Sequence, residues 1–531
     1  MPCRFVRPGA QAGAVARRAP SLALLCAAAA LTFQLTGCAV GPDYHRPAAA
    51  VPASYKEAPE GWKVAQPADT ADRGAWWLIY EDPQLDALMD QLNTSNQTVA
   101  QYAAAYRQAR ALVGEARAAY FPVVSASFSG SRSRTPTRVS NASGAFPSGS
   151  ISNNVNLGLD ATWEPDLWGK VSRTVSSQEA SQQGAAADLA NARLSAQAML
   201  AQTYFTLRSL DAQQKLLDDT VAAYQKSLQL TQNQYAQGVA GRADVIQAQT
   251  QLQSAQAAAI DNGVARAQDE HAIAVLVGQP ASTFTIPAMP LTATPPTVPL
   301  AMPSALLERR PDIASAERKA AAANEQIGVA IAAYFPTLDL SASGGFESSV
   351  FSQLLQLPSR FWTLGPSLAS TIFDAGLRHA QTEAARAAYD QQVATYRQTV
   401  LAAFQDVEDN LASQRILAQE IVVQQQAVES AQHALAIVTN EYKAGTIDFQ
   451  NVLTAQTTAF TAQQRLASLG GQRMVSSVGL VKALGGGWDA SQMDRETGSV
   501  TAPVAASGAA SASAATAAAN RSTGAANAPG S

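Results

Sequence analysis

The sequence predicts an α+β membrane protein in which very long helices continue into amphipathic strands, the whole arrangement being made twice. Three observations lead there. The stretches ARAAYFPVVSASFSG from Ala116 and AIAAYFPTLDLSASGG from Ala330 make the same passage from Ala-rich helix to strand, 214 residues apart. Helical patterning runs unbroken for tens of residues at a time. Four strand segments set apolar residues against small polar ones with a period of two.

Composition agrees. Of 531 residues, 47% are hydrophobic and only 15% charged. That balance suits long helices packed closely side by side. The net charge of -4 includes Arg4, Arg7, Arg17 and Arg18 of an N-terminal leader, so its removal takes the chain to -8. Nothing is basic enough to favour nucleic acid as a partner.

The leader, residues 1–37, joins four arginines to the apolar run SLALLCAAAALTFQLTG. It is too short and wrongly flanked for a spanning helix and reads as an export signal. Leu35-Thr36-Gly37-Cys38 resembles a bacterial lipobox, which implies cleavage before Cys38 and a covalent lipid on its sulfur. The only other cysteines, Cys3 and Cys26, fall in the leader, so an exported chain has none to pair. A plain signal peptide with a coincidental cysteine is the alternative. Ala39 follows, not the aspartate that would retain a lipoprotein at the inner membrane. Acyl chains contribute about 0.8 kcal/mol per buried methylene, enough for several chains to anchor firmly.

A connector at 38–83 precedes a first repeat at 84–286. The repeat comprises a helix (84–119), strands (122–164), a long helix (170–237) and, after QGVAGR, a helix to Val277. The Pro-rich crossover 287–303 leads to a second repeat at 304–488 with a helix (304–333), strands (336–374), a long helix (377–443), the break AGTID and a helix to Leu484. The tail 489–531 is Ala, Ser, Gly and Thr with almost no large apolar residue and is expected to be disordered. The repeat extends to detail. NQYAQGVAGRADVIQAQT from Asn233 aligns with NEYKAGTIDFQNVLTAQT from Asn440, with Tyr235/Tyr442, Gly238/Gly445, Val245/Val452 and Gln249/Gln456 each 207 apart. Val221, Leu228 and Tyr235 recur as Val428, Leu435 and Tyr442, the seven-residue spacing of helices that coil about neighbours. Leu210, Leu217 and Tyr224 fill the other seam.

In the strands, Val155, Leu157, Leu159, Ala161 and Trp163 alternate with Asn154, Asn156, Asp160 and Thr162. Leu338, Leu340, Ala342 and Phe346 alternate with Thr337, Asp339, Ser341 and Ser343. Val124, Ala126 and Phe128 alternate with serines, and Trp362, Leu364 and Leu368 continue the pattern. A soluble sandwich could alternate similarly. Strands of ten or more residues, however, match a tilted bilayer crossing. Tyr120, Phe121, Trp163, Trp168, Tyr334, Phe335 and Phe373 gather at one strand end, as rings do at a membrane–water interface. Four strands cannot close a barrel, and an open edge in lipid costs several kcal/mol for each unpaired group. The chain must therefore oligomerise, two copies giving eight strands and three giving twelve. The long helices, roughly 66 residues, span about 100 Å, and two shorter ones of about 36 and 38 residues end to end would match them. Pro122 and Pro336 stop the helices by removing a donor and crowding the preceding turn.

GCAVGPDYHRP (37–47), WWLIYEDPQLDALMDQL (76–92), LLERRPDIASAE (306–317), the two AYFP passages and VKALGGGW (481–488) together resemble the outer-membrane factor family. More closely they are similar to the NodT/OprM-like efflux lipoproteins, relatives of TolC. The resemblance covers nearly the whole mature chain except the tail. It implies a homotrimer with a twelve-stranded outer-membrane β-barrel continued by a long periplasmic α-helical barrel. It also implies a periplasmic adaptor protein and an inner-membrane pump as partners, with no catalysis and no cofactor beyond the lipid on Cys38. The implied function is the exit duct of a tripartite efflux pump, conducting drugs or other small solutes. A TolC-like duct of a protein-secretion system and a non-conducting, lipid-anchored structural spacer are the alternatives.

In the family the duct closes at its periplasmic tip with carboxylate rings and polar links between helices. By position this points to Arg242, Asp244, Asp448, Asn451 and Thr454. Asn451 and Thr454 stand where relatives carry aspartate, so Asp244 or Asp448 would substitute. Asp244 and Asp448 could equally serve only as helix N-terminal acids. RRPDI and GGGW read as a helix start and a helix stop. His45, His271, His379 and His433 have no ligand spacing.

Overall fold

The computed structural model describes residues 39–57, 75–134, 151–291, 293–296 and 306–488. The leader 1–37, the lipidation candidate Cys38, part of the 287–303 crossover and the tail 489–531 lie outside the described residues. The chain forms two compact units. One comprises Glu115–Ser176 and Asn324–Arg386 with the residues up to Asp43. The other comprises Tyr44–Gly114, Ser177–Ala323 and the chain from Ala387.

A 3-10 turn at Trp76–Tyr80 precedes helix α1, Pro83–Ser95. Asp82 caps α1: its Oδ1 accepts the amides of Gln84 at 3.0 Å and Leu85 at 3.2 Å, and Pro83 fills the first position, where an amide would have no partner. The single helix expected over 84–119 is in fact two, because Asn96 takes an extended conformation between α1 and helix α2, Gln97–Ala118. Its Oδ1 accepts Val99 N at 2.9 Å and its Nδ2 donates to Leu276 O at 2.7 Å. A side-chain amide thus caps one helix and ties down the end of another.

Strands β1, Val123–Arg134, and β2, Ile151–Trp163, follow. Helix α3, Lys170–Ala236, has 67 residues and helix α4, Arg242–Leu276, has 35. A helical turn at Leu306–Arg309 precedes helix α5, Pro311–Ala332, so Arg310 interrupts the helix expected over 304–333. Strands β3, Thr337–Ser348, and β4, Arg360–Ala369, are followed by helix α6, Leu377–Lys443, again of 67 residues, and helix α7, Phe449–Ala483, again of 35. At 1.5 Å per residue each 67-residue helix is about 100 Å long.

Both long helices stop in the same way. Gly238 (φ 75°) and Gly445 (φ 73°) adopt the left-handed conformation that glycine takes at least cost. Around them Gly238 N reaches Tyr235 O and Val239 N reaches Gln234 O, while Gly445 N reaches Tyr442 O and Thr446 N reaches Glu441 O. This paired pattern satisfies carbonyls that the helix leaves free. Helix α7 ends as the triple glycine predicts. A side chain at Gly485 would also collide with Arg309 O, 2.0 Å from where its Cβ would stand.

The strand-bearing unit contains one antiparallel sheet in the order β1-β2-β3-β4. Val40 N donates to Trp168 O at 3.2 Å, and the Arg173 guanidinium donates to Pro42 O at 3.2 Å and pairs with Glu325 at 2.9 Å. Residues 39–43 are thereby fixed within this unit.

The helical unit has a core built around Trp76, Trp77, Tyr80, Leu85, Tyr204, Phe205, Ile273, Tyr396 and Met474. Three of its aromatic polar groups are paired: Tyr204 OH donates to Asp82 Oδ2 at 2.6 Å, Trp76 Nε1 to Gln197 at 3.1 Å, and Tyr80 OH lies 3.0 Å from Ser477 Oγ. Arg310 joins Asp312 and Asp406 and donates to Ala483 O, so RRPDI does more than start a helix. Asp211, with its side chain 2% exposed, lies between Arg208 at 3.0 Å and Arg266 at 2.7 Å and accepts Met289 N at 3.0 Å. Arg266 also donates to Ile286 O, so this charge cluster fastens the start of the crossover to α3 and α4.

Asp211→Ala is expected to leave the Arg208 guanidinium buried without its counter-charge, while Arg266 keeps Glu270, and to cost about 3–5 kcal/mol, read as a lowered Tm. Burial pushes the Tyr80 phenol up to about 12, opposed by its bond to Ser477. The neutral phenol's stabilisation is complete below about pH 10 and disappears as pH rises through about 12. Tyr80→Phe should remove one late phenolate from the ultraviolet titration.

Candidate functional site

Two regions hold the predicted site residues, one in each unit. In the strand-bearing unit, register sets the two faces of the sheet. Phe128, Leu157 and Phe346 share one row, and Val124, Ala161, Ala342 and Leu364 share another. These residues form one apolar face, as the alternation predicts, and it stands open: Phe128 is 64%, Leu159 59% and Leu364 70% exposed. Ser127, Asn156, Asp160, Asp339 and Ser343 are on the opposite face. Among the described residues, β1 and β4 each have one edge without a partner strand. At the helix-proximal end, Trp163 Nε1 donates to Tyr120 O at 3.1 Å, Trp168 stacks on Phe335 at 4.8 Å and Arg378 lies 5.3 Å over the Tyr334 ring. Part of the predicted aromatic cluster is therefore a set of specific contacts, while Phe121 and Phe373 stay exposed. No helix among the described residues is long and apolar enough to cross a membrane.

The second region is the pair of helix–turn–helix breaks in the helical unit. A cleft of about 390 Å³ brings together Asp244, Asp448 and Asn451 beside Gln234, Tyr442 and Thr446. Arg242 and Thr454 are not part of its lining. Arg242 is the exposed first residue of α4, and the Thr454 hydroxyl donates to Gln450 O of its own helix at 2.9 Å. Asp244 closes back on its own helix start, accepting Gly241 N at 3.0 Å. Asp448 occupies the N-cap of α7 but makes no side-chain cap bond and is exposed. Asn451 is exposed as well. The two acids, equivalent as sequence features, thus differ: one is bound to the backbone and the other faces solvent.

The sequence reading treated Tyr442 as a heptad residue only. It is buried, its hydroxyl donates to Thr231 Oγ1 at 3.4 Å, and its ring centroid lies 5.4 Å from that of Phe449. Burial pushes its phenol up, the Thr231 bond opposes this, and the Asp244 carboxylate adds to the rise. Its counterpart Tyr235 is 48% exposed. Sequence registration offers the cause: Arg242 stands where the second copy has Phe449, so the first copy lacks the aromatic packing partner. The cleft also holds Gln234 Oε1, which is buried without a hydrogen-bond partner among the described residues.

Long paired helices, two specialised turn regions and a sheet apolar on one face and polar on the other define a protein of the membrane-channel class. The outer membrane efflux protein family matches residues 88–279 and 302–486, and the chain belongs to that family. It is 32% identical over 468 residues to the probable efflux pump outer membrane protein TtgC of Pseudomonas putida, covering 87% of this chain and 96% of that one. The pyoverdine export outer membrane protein OpmQ of Pseudomonas aeruginosa is 32% identical over 445 residues, covering 83% and 92%. Among solved structures, the outer-membrane channel OprN superposes with a TM-score of 0.78 at 30% identity, covering 85% of this chain and all of that one. The fold is therefore that of an outer-membrane efflux channel, and the outer membrane is its setting.

Asp244→Ala should cost about 0.3–1 kcal/mol of local helix stability, read as faster amide exchange at Gly241 and in the first turn of α4. Asp448→Asn, which breaks no side-chain cap bond, should leave exchange in α7 unchanged.

Proposed function

We propose that this chain is the exit duct of a tripartite efflux pump, conducting drugs or other small solutes passively across the outer membrane. One observation carries the proposal: a sheet of four long strands exposes an apolar face and leaves both edges unpaired, in a chain of the outer membrane efflux protein family. Three copies joined edge to edge supply twelve strands, and their helices supply a periplasmic tube. Matching helix lengths and the two separate family matches support an internal duplication beneath this design. A lipid on Cys38 would reinforce anchoring to the membrane. The duct needs a periplasmic adaptor and an inner-membrane pump, and performs no chemistry of its own.

Arg242, Asp244, Asp448, Asn451 and Thr454 are the proposed gate set. Asp448 and Asn451 are the best placed, since they combine exposure with a position at the cleft. Asp244 contributes its charge while capping its helix. Relatives named for an efflux pump and for pyoverdine export favour solute export over protein secretion.

The full chain, purified in detergent, is expected to sediment as a trimer and to give small, steady single-channel currents in planar bilayers. Removing charge at Arg242, Asp244 and Asp448 together should raise conductance and antibiotic entry. A stable monomer, or a chain that never conducts, would instead favour the lipid-anchored spacer.

A further inference from the structure

Charge is divided between the two faces of the sheet. Row by row, the polar face carries the acids Asp160, Asp339 and Glu347 and no cation, while the apolar face carries Arg132, Arg134 and Arg360 and no acid. Arg132 pairs in register with Asn153, Arg134 with Ile151, and Arg360 with Phe346, all on the face that holds Phe128, Leu157 and Leu364. All three arginines are exposed, and none has an ion pair or side-chain hydrogen bond among the described residues.

Their position along the strands matters as much as their face. Arg134 is the last of the 12 residues of β1, with Arg132 two before it, and Arg360 is the first of the 10 residues of β4. All therefore lie at the strand ends farthest from the aromatic cluster. Roughly nine residue rises separate Arg132 and Arg360 from the aromatic end of their strands, about 30 Å along the strand. At a tilt of roughly 40° that is about 23 Å along the membrane normal, close to the roughly 25 Å height of a barrel's apolar band. An arginine on the lipid face is costly at mid-bilayer but cheap at the interface. The three therefore stand where the apolar band ends and headgroups begin.

We propose that Arg132, Arg134 and Arg360 form a docking surface for phosphate-bearing lipid headgroups of the outer leaflet, repeated on each subunit. The inference rests on the membrane-spanning reading of the sheet. Guanidinium groups pair with phosphate oxygens through two parallel charge-assisted hydrogen bonds, and the acyl chains of the same lipid would cover Phe128, Leu157 and Leu364 below. The absence of any acid on this face leaves nothing to repel the phosphate. The acids on the other face are left for a water-filled interior.

The test places the full-length chain in phosphatidylcholine nanodiscs doped with lipid A and counts bound lipid A by native mass spectrometry. Replacing the three arginines together (R132Q, R134Q and R360Q) should weaken binding on the order of a hundredfold, while Arg→Lys variants retain much of it. Lipid A stripped of its phosphates should bind the wild type no better than the glutamine variant. Equal binding by wild type and variant, or unchanged binding of the dephosphorylated lipid, overturns this inference alone when single-channel currents persist. A wild type that neither inserts nor conducts overturns the membrane reading as well.

Discussion

Backbone groups along the outer edges of β1 and β4 have no partner strand among the described residues. In water such an edge is tolerable, but in hydrocarbon each unpaired amide or carbonyl costs several kcal/mol. The face that the alternation makes apolar is nevertheless the exposed one, with Leu364 and Phe128 among its open side chains. Lipid suits that face and penalises those edges, and joining copies edge to edge reconciles the two. In the proposed duct, oligomerisation and a polar interior both follow from this demand for hydrogen-bond closure.

The helical unit answers a different demand. Helices of 67 residues built largely from Ala, Gln and Ser bury little apolar area per turn, so they depend on a few dense knots of packing and charge. One knot is the aromatic core around Trp76, Tyr80, Tyr204 and Phe205. Another is the cluster of Arg208, Asp211 and Arg266, which fastens the crossover where it leaves the helices. A buried cluster of this kind adds little net stability beyond what an apolar replacement would give, but it fixes geometry because each member tolerates few alternative partners.

The two turn regions share one backbone design and differ in packing. Both keep the left-handed glycine and the same pair of capping hydrogen bonds, since the chain must reverse in both. Only the second buries its tyrosine, because the Phe449 ring packs tilted against Tyr442 where the first copy offers Arg242. One copy thus presents a packed aromatic hinge and the other a charged, solvated start of helix. The cleft lies against the packed copy and takes Asp244 from the other.

Much of this molecule was legible in residue order. Heptad spacing, alternation, proline and glycine stops and the matched AYFP passages gave the helices, the strands and their succession, because each reports local backbone preference. Several features escaped, among them the break at Asn96, whose amide caps α2 while holding Leu276 O; the charge cluster on Asp211; and the unlike roles of Asp244 and Asp448. None has a periodic signature, since each depends on which distant group comes within about 3 Å, the reach of a hydrogen bond. Sequence by itself therefore determined which segments are helix or strand and which strand face is apolar. Only the tertiary structure decided which polar groups are satisfied and which stay free, because that depends on contacts between residues far apart in the chain.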